Sequence, residues 1–507
     1  MLLDPFEWPR KAKIADFHVM IRRGNARPSP GPDRWEKWVL KALSNNALHL
    51  VLDLVNYTVM NSRFPGNVKD MWLTGFHKRG LHTQLSNWRG LMLSNFLANA
   101  PMAWLNYSLI SYASSKRILP DTQVAAQPGV QTRDLMSFLS GLKCWVHRNK
   151  ETVFALKQDQ MKGFDYLSPE GFYDAVNAYG LPSAITDLDR AAQTNTRCFI
   201  RTTYGVTEPI VVTGVTKQGG PLSPLKSTFT TSLGHYLIDD LAKEDDDALV
   251  ITSASNKRGD PHFAEAKSTI CVPMVEATDD SYLFPRSLVS LQKNVLAMER
   301  FQYTYGWQTQ WKKTHAFLLN GSRTEQANLS SVIMQSVSIG RGVDPMIIQE
   351  HEVPLIHDEL EFLRTKVNDP NSRFQELLTI IDTFNFPRTI KRPPITLLRK
   401  VIAQNLISRI RALLTLQPVR QSDTEKLDHR VLERVHNLLG FPFRPNTSIA
   451  TLPVSLHGFD FPSISRINQA IAISGLSRDL NHHIPAYRSM ARITMADWTC
   501  EKMYLTC

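Results

Sequence analysis

Two kinds of hydrophobic pattern alternate along this chain. Short apolar and β-branched runs bounded by turn-forming residues predict strands, and longer runs with apolar residues three or four positions apart predict helices. The strand-like runs are Thr152–Asp159, Val272–Ala277, Tyr282–Phe284 and Thr314–Leu319. The helix-like runs are the segment from Ser168 to Gly180, Ser223–Ala242 and Leu397–Leu416. The mixture predicts a protein built from both helices and sheets.

Turn-forming residues sharpen two of these predictions. The tetrapeptide Thr278-Asp279-Asp280-Ser281 separates two strand-like runs and predicts a hairpin. Asn320-Gly321 follows another strand-like run, and Asn-Gly is a strong hairpin signal. Near the N-terminus, Asp33 and Glu36 have the spacing of a capping box, which predicts that a helix begins there.

The most apolar stretch of the chain is Leu91–Tyr112. It contains three asparagines and one proline, which a helix facing lipid would not readily tolerate. We therefore expect a buried pair of helices over this stretch, and we do not expect a membrane as a partner.

Composition and charge narrow the classes of function. At 507 residues the chain is long enough for about two to four subdomains. Its net charge of +11 favours a polyanionic partner. From Lys391 to Cys507 there are 16 Lys or Arg and 8 Asp or Glu, so this part alone contributes 16 − 8 = +8. Five scattered cysteines without a CxxC pair argue for a reducing compartment and against a structural zinc site.

Carboxylates at the ends of strand-like runs suggest a chemistry. Asp159 ends one such run, and Asp279 and Asp280 lie in the predicted hairpin turn. Nucleotide polymerisation requires two divalent cations about 3.5–4 Å apart, held by carboxylates on neighbouring strands. Each signal alone is weak, because an Asp-Asp turn is usually an ordinary solvated turn.

The surrounding residues resemble the motifs of reverse transcriptases. Asp159-Gln-Met-Lys-Gly-Phe164-Asp165 is similar to the family pattern D-x-x-x-A-F-D, and Lys217-Gln-Gly-Gly-Pro-Leu-Ser-Pro224 resembles (R/K)-Q-G-x-P-L-S-P. Ala277-Thr-Asp-Asp280 stands in the place of the family's x-A-D-D box. A fourth segment, Gly306-Trp-Gln-Thr-Gln-Trp-Lys-Lys313-Thr314, looks like G-x-x-x-N-x-x-K-T.

The resemblance has departures and extends upstream. Gly163, Thr278 and Gln310 replace the usual Ala, Ala and Asn. Four earlier segments resemble N-terminal elements of non-LTR retrotransposon and group II intron enzymes, in the family's order: Gly31-Pro-Asp33, Lys78-Arg79-Gly80, Asn87-Trp88-Arg89 and Gln127-Pro-Gly129. The resemblance runs from about residue 25 to about residue 320, and more faintly to residue 468.

The resemblance implies a two-metal site. Asp159 and Asp279 would bridge two Mg²⁺ ions, for which Mn²⁺ could substitute, and Asp280 would be an auxiliary ligand. The backbone carbonyl of Gln160 stands where the family supplies one more oxygen. Lys313 would protonate the leaving pyrophosphate, although Lys312 is an alternative.

The resemblance also implies a set of nucleotide-binding residues. Lys78 or Arg79, together with Arg89, would hold the triphosphate. Gln218 and Gly219 belong to a loop that would approach template and nucleotide closely. Phe164 occupies the position at which a bulky ring excludes a 2′-hydroxyl and so selects deoxynucleotides.

The fold that follows from the resemblance is an α+β right-hand polymerase. Residues 1–150 would form fingers, residues 151–390 a palm with an antiparallel sheet flanked by helices, and residues 391–507 a helical, basic thumb. The expected partners are an RNA template, a DNA primer, their RNA–DNA hybrid and deoxynucleoside triphosphates. With no secretory signal at the N-terminus, we expect an intracellular, nuclear protein assembled with its RNA in the cytoplasm.

Three alternatives remain open at this point. An RNA-dependent RNA polymerase shares the carboxylates, but the Gln218 motif and Phe164 argue against it. A catalytically inactive nucleic-acid-binding relic could keep the fold. A maturase-like RNA-binding protein could too, but no separate basic domain follows the predicted thumb.

Overall fold

The computed structural model describes residues 5–22, 28–123, 127–161, 163–214, 216–253, 269–277, 280–339, 346–362, 365–386, 393–440 and 446–504. The described helices are α1 (Ile14–Arg22), α2 (Lys37–Ala42), α3 (Asn45–Asn61), α4 (Phe96–Lys116), α5 (Thr132–Asn149), α6 (Gly163–Tyr166), α7 (Glu170–Ala178), α8 (Ala184–Gln193), α9 (Ser223–Glu244), α10 (Leu288–Thr304), α11 (Pro370–Thr383), α12 (Ile395–Val401), α13 (Ile407–Leu416), α14 (Gln421–Leu439), α15 (Thr447–Thr451), α16 (Ile464–Leu480) and α17 (Pro485–Tyr504).

The described strands are β1 (Met71–His77), β2 (Trp88–Ser94), β3 (Val153–Asp159), β4 (Thr196–Thr202), β5 (Gly205–Val206), β6 (Ile210–Val212), β7 (Val250–Thr252), β8 (Thr269–Cys271), β9 (Met274–Ala277), β10 (Asp280–Leu283), β11 (His315–Leu319), β12 (Ser331–Ile339), β13 (Met346–His357), β14 (Glu361–Phe362) and β15 (Thr365–Lys366). The chain is therefore a mixture of helices and sheets.

A six-stranded sheet forms the centre of the second half of the chain. Its strand order is β12-β13-β11-β3-β10-β9. Strand β3 lies antiparallel to both of its neighbours, while β11 and β13 run parallel. The sheet is thus mixed rather than purely antiparallel. The four residues Val153–Leu156 are buried, as expected for a central strand covered on both faces.

A five-stranded sheet lies earlier in the fold. Its path is β2-β1-β4-β5, and β6 also pairs with β4. Strands β1 and β2 form a hairpin, and β1 runs parallel to β4. Strand β2 is at one end of this path, so its outer edge is available to another segment.

Four hydrophobic clusters hold the described residues together. The first joins α1–α4 with α7–α9, and the second joins α5, several strands of the central sheet and α17. The third is built from α11–α16, from Leu377 to Ile464. The fourth packs α9 and α10 against β3 and β10–β13. The central sheet is therefore covered on one face by the second cluster and on the other by the fourth.

Several predicted elements are confirmed and others are wrong. Helices α7 and α9 and the pairing of β9 with β10 were expected from the pattern. The stretch Leu91–Tyr112 is not a helix pair, because it comprises the end of β2 and most of the single helix α4. Pro101 is accommodated within α4, so it does not divide the stretch.

The predicted capping box at Asp33 is also wrong. Helix α2 begins after Glu36, which makes no side-chain capping bond. The Asp33 carboxylate instead accepts a hydrogen bond from the Phe96 N–H at 3.2 Å, at the start of α4. Its own N–H donates to Asn95 Oδ1 at 2.9 Å. Asp33 therefore caps a helix that is distant in the sequence.

Among the described residues, no helix combines the length and the apolar character that crossing a membrane would require.

Candidate active site

The end of strand β3 places Asp159 at the edge of the central sheet. The strand is apolar up to Leu156 and turns polar at its last three residues. Buried neighbours on both sides hold its backbone rigidly, so the Asp159 side chain projects from a fixed position. That side chain is 31% exposed and can be reached by a ligand.

Asp280 lies directly opposite Asp159 on the neighbouring strand. The two residues are register partners in the antiparallel pair of β10 with β3. Like charges in such positions repel each other unless cations lie between them. Lys157 Nζ is 3.5 Å from Asp280 Oδ1, and Lys313 Nζ is 3.9 Å from Asp159 Oδ1. The structure thus brings together Asp159, Asp280 and Lys313 of the predicted set.

The donor atoms at this edge fit a hard divalent cation. Carboxylate oxygens are the ligands that Mg²⁺ prefers, and two aspartates are register partners on adjacent strands here. Within the ranges that the structure describes, no group of three or more His, Cys, Asp or Glu side chains gathers around one point. Asp279, the third predicted ligand, lies outside the described residues.

A neighbouring segment supports the end of β3. The Gln310 N–H donates to the Asp159 carbonyl at 2.8 Å, and the Met161 N–H donates to the Gln308 carbonyl at 2.8 Å. Gln160 forms the bridge with Thr309 between these two bonds. In this antiparallel pattern, the Gln160 carbonyl points away from Thr309, toward the side on which β10 lies. That orientation suits the carbonyl role implied for Gln160.

A buried polar cluster under β3 was not predicted from the sequence. Gln158 Nε2 donates to Glu299 Oε1 at 2.8 Å and to Thr309 Oγ1 at 2.7 Å, and Gln302 forms hydrogen bonds with Gln158 and Thr309. Burial raises the pKa of Glu299 to about 7, although hydrogen bonds from Thr309 and Gln158 oppose the rise. The cluster links α10 to the segment that supports Asp159.

Lys313 lies at the end of a short 3₁₀ turn, Trp311–Lys313, just before β11. Its side chain is 66% exposed, so it can move while remaining near Asp159. Thr314 is buried and begins the return into the sheet. Lys313 was predicted from its motif alone, because an exposed lysine has no distinguishing sequence pattern of its own.

Helix α6 carries Phe164, and contacts to the backbone of this helix hold it in place. Trp307 Nε1 donates to the Gly163 carbonyl at 2.7 Å. Gly306 has a φ of +86°, and a Cβ there would lie 2.5 Å from the Tyr166 carbonyl oxygen. The glycine is therefore required by this close approach. The side chain of Phe164 lies outside the described residues.

The predicted triphosphate ligands lie on the β1–β2 hairpin. Lys78 and Arg79 are exposed in its connection, where the Lys78 N–H donates to the Asn87 carbonyl at 2.8 Å. Arg89 is exposed on β2, opposite Phe76. Trp88 Nε1 donates to the His82 carbonyl at 2.9 Å, which orders the connection. The structure thus groups these three cations on one hairpin.

The loop that contains Gln218 and Gly219 lies against the outer edge of β2. The Met92 N–H donates to the Gln218 carbonyl at 3.0 Å. Gly219 has a φ of +106°, and a Cβ there would be 3.2 Å from the Met92 carbonyl oxygen. The loop therefore lies beside the strand that carries Arg89.

Comparisons with known proteins identify no family. No protein-family model matches the chain, and no curated protein matches it. One similar solved structure is apo telomerase from Candida tropicalis truncated from its C-terminal domain, with 11% sequence identity and a TM-score of 0.36. The match covers 59% of this chain and 57% of that one. At this level the similarity does not bear on the activity of the present chain.

Proposed function

We propose that this chain is a reverse transcriptase that synthesises DNA on an RNA template, of the kind found in non-LTR retrotransposons. The observation that supports this most strongly is the position of Asp159 opposite Asp280 on adjacent strands, with Lys313 beside them. The motifs that surround these residues point to the same chemistry.

In this proposal the carboxylates hold two Mg²⁺ ions, or Mn²⁺ in their place. Asp159 and Asp279 would be the main ligands of these ions, with Asp280 and the Gln160 carbonyl as auxiliary ones. When bound, the ions would lower the pKa of the primer 3′-hydroxyl and neutralise the triphosphate. Lys157 and Lys313 stabilise the facing carboxylates when no ligand is present.

The remaining residues bind and orient the nucleotide. Lys78, Arg79 and Arg89 provide positive charge for the triphosphate on the β1–β2 hairpin. Lys313 is exposed enough to reach the leaving pyrophosphate and donate a proton to it. Phe164 would exclude ribonucleotides, and the Gln218–Gly219 loop would contact template and nucleotide.

The chain would then divide into the three subdomains of a right-hand polymerase. Residues 1–150 are fingers, residues 151–390 a palm and residues 391–507 a thumb that grips the RNA–DNA hybrid by its phosphates. These boundaries, and a nuclear location, remain predictions.

Primer extension tests the proposal. Purified protein is given a DNA primer on an RNA template with dNTPs and Mg²⁺, and primer elongation is measured. We expect elongation by the wild type and its loss in Asp159→Asn and in Asp280→Asn, because each removes charge from the cation site. The affinity for the RNA–DNA hybrid should be retained, since neither carboxylate contributes to a phosphate grip.

The matched control is Asp240→Asn, because Asp240 is a 73% exposed carboxylate on α9. That variant should extend primers like the wild type. Wild-type elongation by Asp159→Asn would remove the basis of the proposal. A wild-type protein that binds hybrid but never elongates would favour the inactive relic.

A further inference from the structure

A buried charge cluster lies beneath the Gln218–Gly219 loop. Lys226 Nζ is 2.5 Å from Asp189 Oδ2, and these side chains are only 4% and 2% exposed. Tyr173 donates its hydroxyl to the same carboxylate at 2.9 Å. Lys217 lies beside this pair, and burial lowers its pKa to about 8 while the Asp189 charge opposes the change. Lys226 is thus the ion-pair partner of Asp189, and Lys217 lies close enough for the same charge to affect it.

The second lysine is also bound to a helix end. Lys217 Nζ donates to the Ala192 carbonyl at 3.3 Å, in the last turn of α8. Lys69 Nζ donates to the Ala191 carbonyl at 3.2 Å in the same turn. The carbonyl end of a helix carries partial negative charge, so both cations are favoured there.

Lys217 is also the residue at which the loop begins. Its carbonyl accepts the Gly220 N–H at 3.0 Å and the Ser223 hydroxyl at 2.6 Å. The next carbonyl, that of Gln218, accepts the Met92 N–H. Lys217 therefore connects three elements, since its side chain reaches α8, its carbonyl reaches the start of α9, and its neighbour pairs with β2.

We infer that Lys217 is a positioning residue, which uses the carbonyl end of α8 to hold the Gln218–Gly219 loop against β2 for nucleotide binding. This inference rests on the proposed function. A flexible loop would lose conformational entropy when nucleotide binds, whereas an anchored loop is ordered in advance and avoids much of that cost. The surplus positive charge of the cluster also favours a polyanionic ligand nearby.

Replacing Lys217 by methionine tests the inference. Lys217→Met keeps the apolar stem but removes the charge and the bond to Ala192. We expect the KM for dNTP to rise by about 10-fold, as for loss of one hydrogen bond to a charged group, with the affinity for RNA–DNA hybrid unchanged. Lys217→Arg should recover part of the loss. Amide hydrogen exchange at residues 218–220 should become faster in Lys217→Met.

Lys69→Met is the matched control. Lys69 binds the same end of α8 but does not belong to the loop, so its loss should change the KM and the loop exchange little. Thermal melting of both variants separates folding defects from positioning. Equal effects on the KM in the two variants would overturn the inference, because they would show a general weakening of α8.

The hydrogen-exchange measurement is independent of catalysis. If the wild type makes no DNA, the proposed function fails, and loop exchange still decides whether Lys217 is an anchor. Unchanged exchange at residues 218–220 in a folded Lys217→Met protein would overturn the anchor, whatever the activity.

Discussion

Glu299 is a carboxyl group enclosed beneath the candidate active site. It is 6% exposed and accepts a hydrogen bond from Gln158, whose chain neighbour is Asp159. Burial disfavours its charged form, which raises the pKa of Glu299 to about 7. The native protein therefore binds a proton at Glu299 over a range of pH in which the unfolded chain has already released it.

This difference predicts how stability depends on pH. The stabilising effect of the proton is fully present below the ordinary pKa of a glutamate and is lost as pH rises through about 7. The loss should be about 3 kcal/mol, from about 1.4 kcal/mol for each pKa unit. Urea unfolding at several pH values should show this decline in the wild type and a flatter profile in Glu299→Gln. Glu350→Gln, at an exposed site, is the control, and parallel profiles for all three proteins would contradict the prediction.

Single residues differ in how well the sequence predicts them. Asp159 and Asp280 were expected near each other because Asp159 ends a strand-like run and Asp280 lies in the predicted hairpin, and they are register partners in the structure. Glu299 was missed, although it lies three positions before Gln302 on the buried side of α10. The spacing of Glu299 and Gln302 indicates that both polar side chains are buried, but it does not indicate which strand they contact. Asp33 was misassigned because its partner, Phe96, is far away in the sequence.

At the scale of elements, one buried carboxylate joins α5 to α16. Arg478 Nε donates to Asp134 Oδ1 at 2.8 Å, and the Gln131 N–H donates to Asp134 Oδ2 at 2.8 Å. His482 Nε2 lies 3.3 Å from the same oxygen. Hydrogen bonds from Arg478 and His482 outweigh burial and hold the pKa of Asp134 well below its usual range. The C-terminal helices are thereby attached to the second hydrophobic cluster.

We expect Asp134→Asn to destabilise the protein by about 3 kcal/mol, because it leaves Arg478 without its buried partner. Since the folded pKa is depressed, this contribution is present above the ordinary pKa of an aspartate and is lost as pH falls. Urea unfolding at neutral and acidic pH measures both effects. Asp479→Asn is the control, because that carboxylate is 13% exposed and should contribute less. Equal losses in the two variants would show that burial does not set the strength of this contact.

Local sequence patterns predicted the positions of helices and strands better than they predicted which strands pair. Strands β9 and β10 pair as expected, although Asp280 and Ser281 belong to β10 and not to a turn, and Asn320-Gly321 does not connect two paired strands. Strand β11 pairs with β3 and runs parallel to β13 instead. Asn320 has a φ of +54°, and its side chain donates to the Glu151 carbonyl at 3.1 Å. The Asn-Gly signal correctly predicted a residue with a left-handed backbone conformation. Long-range contacts within the sheet determined which strands pair.

At the scale of the whole molecule, positive charge is concentrated toward the C-terminus. The helices of the third cluster contain exposed cations, among them Lys400, Arg409 and Arg411 on the helical run from Ile395 to Leu416. Within the described ranges, none of these three has an ion-pair partner. Elsewhere, Lys243 and Lys293 pair with aspartates at the end of α9, and Arg286 pairs with Glu151 before β3. The first group can therefore attract phosphates more freely than the second.

If the helices of the third cluster grip an RNA–DNA hybrid, removing their free cations should reduce the salt dependence of binding. Each phosphate contact contributes a slope of about 0.9 in a plot of log affinity against log salt, because it releases condensed counterions. The triple variant Lys400→Gln, Arg409→Gln, Arg411→Gln should thus bind more weakly, with a slope smaller by about 2 to 3. Fluorescence anisotropy between about 50 and about 200 mM salt measures both quantities.

The control removes the same number of positive charges at Lys243, Lys293 and Arg286, whose ion pairs are exposed and contribute little to stability. If the effect came only from net charge, both triple variants would change the slope equally. A reduced slope confined to the first variant would place the phosphate contacts on the run from Ile395 to Leu416. An unchanged slope there would place the hybrid elsewhere on the molecule and refute the proposed thumb, while leaving the assignment of Asp159 and Asp280 to be decided by primer extension.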